Sequence, residues 1–482
     1  MKYCWPGFFR YHMFFVYTKV TDMHPVNKMA DAAFRSFVKK TPALLFFVLF
    51  LLFPASLTAI TLDECIHAAI RMNPGLEAAT HRIKAARAAH QQARAAWFPH
   101  ITASGNYTRT NNPAQAFMME LNQQRLDMAD PAFDLTDADD THNIRLSLGM
   151  EYLLYDGGRS RLGEQAAQRN IEISNHSQAA ARNDLVYEVT RGYYNVLKAE
   201  DFISVFQETA DSIEKSLHMA QERYNEGLAV KTDVLNLEVQ LAEAQEDLIL
   251  SRNNFHLALT ALNTTIGADI VEPDTSAHPL QRPREETVQN HIPERHENQS
   301  INSRPELQAA VLLVQAKKLD LSQSRRTILP QLTAFGALDM DRHPSDNFEE
   351  SYVVGVMAQW NIFDGFARSG TISEAGAHRR EAVALLKQVR KQLELDLKRA
   401  ELQVLNASQR VDVTRKALAS AEESLNITRA RYENGAVEIT ALLSAQTART
   451  STAARNRAAF YDYLEALANM DRATGKVWSP RH

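Results

Sequence analysis

Residues 223–235 read RYNEGLAVKTDVL, and 208 positions later residues 431–443 read RYENGAVEITALL. In each stretch an apolar-patterned segment stops at a glycine, the chain turns within a few residues, and a second segment begins. Both mark the bend of a helical hairpin. Working outward, Asp156-Gly157 pairs with Asp364-Gly365 and Gly267 with Gly475 at the same offset of 208, while Pro74, Leu76 and Pro99 pair with Pro305, Leu307 and Pro330 at an offset of 231. Two spacings are kept in both copies: 67 residues from the Asp to the Arg, and 40 between the last two glycines. The 23-residue difference between the offsets falls between the second proline and the Asp-Gly, so the first copy carries an insertion there. A repeat of more than 170 residues is too long for a solenoid unit and identifies a duplicated half-molecule.

Each half has the same order. Asn73–Phe98 is Ala-rich and helical, and it stops at Pro99. Ile101–Arg109 and Asn143–Tyr155 then alternate with period two; in the second, Ile144, Leu146, Leu148, Met150, Tyr152 and Leu154 fall on one face. The second copy supplies Leu332–Met340 and Tyr352–Phe363, where Val354, Val356, Ala358, Trp360 and Ile362 share a face. The connection 110–142 is polar, holds the extra residues, and is expected to be a solvent-exposed loop. Proline-free stretches to Gly227 and to Gly435 predict two helices, each about 100 Å long at 1.5 Å per residue. Phe206, Ala210, Ile213, Leu217, Ala220 and Tyr224, facing Val234, Leu237, Leu241, Ala244 and Leu248, make a heptad seam. The short helix and the return helix together nearly match the long one, so stacked end to end they can flank it.

The boundaries expected from this pattern are a first half over 60–267, with a β-hairpin at 101–155 and a helical hairpin at 159–267. A linker over 268–303, packed around the waist of the helical body, leads to a second half over 304–475, with strands at 332–363 and a helical hairpin at 366–475. A tail covers 476–482. Ahead of these, Ala43–Phe53 is an apolar run of 11 residues behind Lys39 and Lys40, followed by small residues. It reads as an export signal over 1–59, too short to span a membrane as a helix. The aromatic-rich segment before Met29 lies outside the usual signal design, which points to translation from Met29.

Across the 482 residues, 45% are hydrophobic and 23% charged, which excludes a polytopic helical membrane protein but not a β-barrel. Without residues 1–59 the chain keeps 46 basic and 56 acidic residues, a formal charge of −10 that makes it a poor nucleic-acid binder. Two cysteines, Cys4 and Cys65, make neither a disulfide framework nor a structural zinc site, and Cys65 is expected to be a buried free thiol. There is no phosphate loop, His-Glu-x-x-His or Cys-x-x-Cys. No enzyme, cofactor or metal centre is expected; His278, His291 and His296 are scattered through the linker.

Four amphipathic strands cannot span a bilayer as an open sheet, because the edge groups would go unpaired in lipid. Closure needs at least eight strands, so the chain must oligomerise: two copies give eight, three give twelve. Tyr107, Tyr152, Tyr155, Tyr352, Trp360 and Phe363, near strand ends, suit an aromatic girdle in the membrane interface. A strand barrel continued by long helices would be a pipe that crosses one membrane and projects into the periplasm. A periplasmic coiled-coil adaptor is the alternative; it accounts for the helical seam but not for the duplicated strand pairs.

On these features the chain resembles the TolC family of outer-membrane efflux and secretion channels, over about residues 60 to 475. The resemblance rests on the duplicated strand-strand-helix plan and on the two tip motifs, Arg223-Tyr224-Asn225-Glu226-Gly227 with Thr232-Asp233 and Arg431-Tyr432-Glu433-Asn434-Gly435 with Thr440-Ala441. It implies a mainly α protein with a transmembrane β part: a homotrimer whose 12-stranded β-barrel continues into a 12-helix α-barrel, in the outer membrane of a Gram-negative bacterium. It also implies a passive duct that works with a periplasmic adaptor and an inner-membrane pump. The tips Arg223, Tyr224, Gly227, Arg431, Tyr432 and Gly435 would dock the adaptor, and Thr232, Asp233 and Tyr432 would hold the closed entrance, so that Asp233→Ala or Tyr432→Phe widens it. Val437, Ala441 and Ser444 stand where family members carry latch and constriction charges, leaving Asp233 and Glu438 as the nearby acids.

Overall fold

The computed structural model describes residues 59–126, 140–271, 280–283 and 299–476. Apart from Ala59 and Lys476, the expected export signal and tail fall outside them, as does most of the linker. Helix α1 (Leu62–Met72) starts with a reciprocal cap: Thr61 Oγ1 accepts from the Glu64 amide at 3.2 Å and Glu64 Oε2 accepts from the Thr61 amide at 2.8 Å. Its Cys65 is fully buried, and burial, followed by the Glu64 charge, pushes the thiol up to about 12, so it stays a neutral packing group. Helix α2 (Pro74–Arg94) follows, with Asn73 capping it and Pro74 in its first turn.

Strand β1 (His100–Thr110), helix α3 (Pro113–Asn122) and strand β2 (Thr141–Tyr155) lead to the long helix α4 (Arg159–Asn225) and its return helix α5 (Lys231–Ile266). The second half supplies α6 (Pro305–Arg325), β3 (Gln331–Arg342), β4 (Glu349–Gln359), α7 (Ala367–Glu433) and α8 (Ile439–Ala473). Both long helices contain 67 residues. Helix α4 is launched by Asp156: its Oδ1 accepts from the Gly158 and Arg159 amides at 2.8 and 3.0 Å, and its Oδ2 from the Ser160 amide and hydroxyl, each at 2.6 Å.

The short and return helices meet end to end. Asn73, the cap of α2, donates from Nδ2 to the Thr265 carbonyl in the last turn of α5 at 2.8 Å. A side chain at Gly267, where φ is +87°, would run into the Met72 carbonyl at 2.7 Å. In the second copy Arg304, at the same place as Asn73, reaches the Ala473 carbonyl at the end of α8 at 3.4 Å. Each long helix is therefore flanked by a nearly continuous pair.

The apolar core has three centres. At the waist, Ile66, Val189, Tyr193, Leu197, Leu262 and Ile266 pack together with Leu280 of the linker. The Tyr193 hydroxyl is within hydrogen-bond distance of the Ile60 and Gln281 carbonyls, at 3.0 and 2.9 Å, and Arg282 pairs with buried Asp201, so the described part of the linker is fastened here. A second cluster joins α7 to α8 through Leu393, Val404 and Tyr463, and a third lies near the hairpin tips around Ile213, Leu237 and Leu442. Ala210, Ile213, Ala220, Val234, Leu237, Ala244 and Leu248 of the heptad seam are buried.

The described part of the insertion, residues 111–126, is exposed over much of its length but is not a bare loop: it holds a helix and is tied to the sheet. Asn112 caps α3 by accepting from the Gln115 amide, and Ala116 is buried. Gln123, also buried, donates to the His142 carbonyl at 2.7 Å and to Asn143 Oδ1 at 2.9 Å. Arg125 pairs with Asp346 in the β3–β4 turn at 3.1 Å. These contacts pull the described part of the insertion onto the sheet.

Candidate functional site: the two-faced sheet and the hairpin tips

The strands form one antiparallel sheet in the order β1-β2-β3-β4. At 11, 15, 12 and 11 residues, each is long enough for a tilted crossing of a bilayer, which takes about 9–11. The register sets Tyr107 opposite Ile144, Leu146 opposite Met340, Leu148 opposite Leu338, and Leu338 opposite Tyr352, which gathers the apolar positions on one face. Asn106, Arg145 and Asp341 line up across three strands on the other face, with Ser104, Ser147 and Asp339 beside them. There Asp341 accepts from Asn143 Nδ2 at 2.5 Å and from Arg145 Nε at 2.8 Å.

The aromatic residues singled out from the sequence sit at both ends of the apolar band. Tyr107 and Tyr352 lie in the outer halves of β1 and β4, 63% and 82% exposed. Tyr152 and Tyr155 end β2 next to the helices, and Trp360 and Phe363 fall just past the end of β4. Trp360 points its Nε1 at the Ile328 carbonyl, 2.9 Å away, keeping the apolar ring outward.

At the far end of the long helices both tips have the same geometry. Gly227 and Gly435 have φ of +74° and +71°, the left-handed conformation that lets a helix stop and reverse. At the first tip the Gly227 and Leu228 amides donate to the Tyr224 and Arg223 carbonyls; at the second the Gly435 and Ala436 amides donate to Tyr432 and Arg431. These are two Schellman motifs superposable by the repeat.

Between the tips the structure brings Arg223 onto Tyr432. Arg223 Nη1 donates to the Tyr432 and Glu433 carbonyls at 2.7 and 2.8 Å, and its guanidinium lies 5.4 Å from the centre of the Tyr432 ring. Tyr432 is 4% exposed, and burial, then the charge of Asp233, raises the pKa of its phenol. The Tyr432 hydroxyl has no hydrogen-bond partner among the described residues, so no bond to Asp233 or Thr232 is formed within the chain. Tyr224 and Arg431 point outward, Tyr224 being 43% exposed. The clamp made by Arg223 had no sequence signal, because its partners are main-chain carbonyls, which every residue has.

The sequence matches the family described as outer membrane efflux protein over residues 65–268 and 298–476. Outer membrane protein OprJ of Pseudomonas aeruginosa is 26% identical over 439 residues, spanning 86% of this chain and 84% of OprJ. The pyoverdine export outer membrane protein OpmQ of the same species is 22% identical over 421 residues, 86% of this chain and 85% of OpmQ. Among solved structures CusC, described in terms of transmembrane channel formation, superposes with a TM-score of 0.75 at 17% identity, covering 86% of this chain and 92% of CusC. With the duplicated strand-and-helix plan in place and the family match running through both halves, the chain belongs to the outer membrane efflux protein family and has the fold of the TolC-like channels.

Proposed function

We propose that three copies of this chain close into one outer-membrane duct that passes cargo from a periplasmic adaptor and an inner-membrane pump to the exterior, without an energy source of its own. The observation that carries this reading is the sheet. It has an apolar face, a polar face, and two outer edges, on β1 and β4, that no strand among the described residues covers. In lipid such edges must pair, and pairing β1 of one copy with β4 of the next leaves the apolar faces to lipid and the polar faces to a water-filled lumen. Twelve strands from three copies make the barrel. The helical body supports the same conclusion: Val239, Ile249, Leu257, Leu402, Val413 and Ile427 are each more than half exposed in one chain, and neighbouring copies would cover many such positions. Tyr107, Tyr152, Tyr155, Tyr352, Trp360 and Phe363 serve as the girdle, and the tips present the adaptor-docking surface.

The chain's own part in transport is to hold an aqueous path and to regulate its periplasmic entrance at the tips. The test is the mass of the detergent-solubilised protein by light scattering with the detergent contribution removed. Three chains per particle is the expected result. A single chain would contradict the closed barrel.

A further inference from the structure

The two faces of the sheet differ in charge as well as in polarity. On the polar face the charged side chains are Arg145, Glu151, Asp339, Asp341 and Glu349. The register sets Arg145 opposite Asp341, and Asp341 opposite Glu349. Asp339 stands two residues from Asp341 on β3 and Glu151 six residues from Arg145 on β2, and even separations along a strand keep all five on one side. Arg109 and Arg342 fall on the other face, level with His142 and Ile144. His100 aside, every other position of the polar face is uncharged.

These charges do not cancel. Asp341 is buried and accepts from Arg145 Nε at 2.8 Å, which makes that pair neutral as a unit. Glu151, Asp339 and Glu349 make no ion pair among the described residues. Glu151 is exposed, and Asp339 and Glu349 are half-buried. The described part of the insertion reaches this face through Gln123 and Asn143; it brings Glu120, and its Arg125 is matched by Asp346, so it offers no positive excess. The polar face therefore carries three unmatched carboxylates per copy, with Asp339 and Glu349 toward the outer end and Glu151 toward the helices.

We infer that the barrel lumen is a cation filter set by Glu151, Asp339 and Glu349, so that the duct favours cargo with net positive charge over anionic cargo. The inference rests on the ring closure proposed above. With the polar faces turned inward, three copies gather the carboxylates into an outer belt of six and an inner belt of three. Rings of Asp and Glu side chains around a water-filled path attract cations and repel anions, and the low-dielectric wall of strands and lipid concentrates their field in the lumen. At the entrance, by contrast, Val437, Ala441 and Ser444 carry no charge, and the nearby acids are Asp233 and Glu438.

The test is the reversal potential of the purified protein in a planar bilayer under a KCl gradient. At salt of about 0.1 M, where the screening length is about 10 Å, K⁺ is expected to permeate several-fold better than Cl⁻, with the preference fading toward about 1 M as that length falls to about 3 Å. Glu151→Gln/Asp339→Asn/Glu349→Gln is expected to bring the reversal potential close to zero while its particles still weigh three chains in detergent. Glu151→Lys, a single exposed change, should shift it toward Cl⁻. A wild type without preference or preferring Cl⁻ would overturn the filter, as would a triple variant that keeps the full preference. So would a preference that survives in the triple variant and disappears in Asp233→Asn/Glu438→Gln, which would place the selectivity at the tips. Particles that weigh one chain would instead overturn the ring closure itself.

Discussion

A guanidinium that donates to main-chain carbonyls at a helix C-terminus combines charge-assisted hydrogen bonds, each contributing about 1.5–3 kcal/mol, with a favourable helix dipole. Arg223 holds that position on the second tip, so Arg223→Ala is expected to loosen the entrance and raise single-channel conductance, with Arg223→Lys intermediate. Tyr432 contributes differently. Its ring fills the core near the tips while its hydroxyl bonds to nothing among the described residues. Tyr432→Ala should cost on the order of 3–5 kcal/mol in thermal denaturation of the detergent-solubilised protein, as for other large buried rings. Tyr432→Phe should change stability by less than about 0.5 kcal/mol and raise conductance less than Arg223→Ala does. A rise with Tyr432→Phe as large as with Arg223→Ala would show that the hydroxyl, through Asp233 or a neighbouring copy, is the stronger hold.

The elements were legible where periodicity and punctuation agree. The glycines at 227 and 435 and the Asp-Gly pairs delimit the two long helices because only a few residue types stop a helix or start one at such places. The strands show because one greasy side requires strict alternation. Helix α3 did not show: Pro113–Asn122 is one short element among polar residues, and what holds it is Gln123, a polar side chain that bonds to His142 and Asn143 at the start of β2, across the rest of the insertion. The end-to-end junctions of the short and return helices follow from length, but their chemistry does not, since Asn73 and Arg304 do the same job with different groups. Asn73→Ala removes both a cap and the bond to Thr265, and should destabilise by about 1–2 kcal/mol, measured by thermal denaturation. Asp156→Ala should cost more than Asp364→Ala by the same measurement, because Asp156 receives four donors and Asp364 receives one main-chain amide and the Arg368 side chain.

At the scale of the whole molecule, the duplication explains why one chain looks unfinished. Among the described residues its sheet has two open edges and its helices carry exposed apolar side chains. Sequence reading reached the family and the channel fold because both rest on patterns that recur in each half. It did not reach the clamp, because a side chain's reach to a carbonyl 209 residues away leaves no periodicity to read. Insertion of the purified protein into a planar lipid bilayer tests the central claim most directly. Discrete ion-conducting steps from particles of three chains are the predicted result, and a bilayer that stays silent with correctly assembled protein, wild type and Arg223→Ala alike, would contradict it.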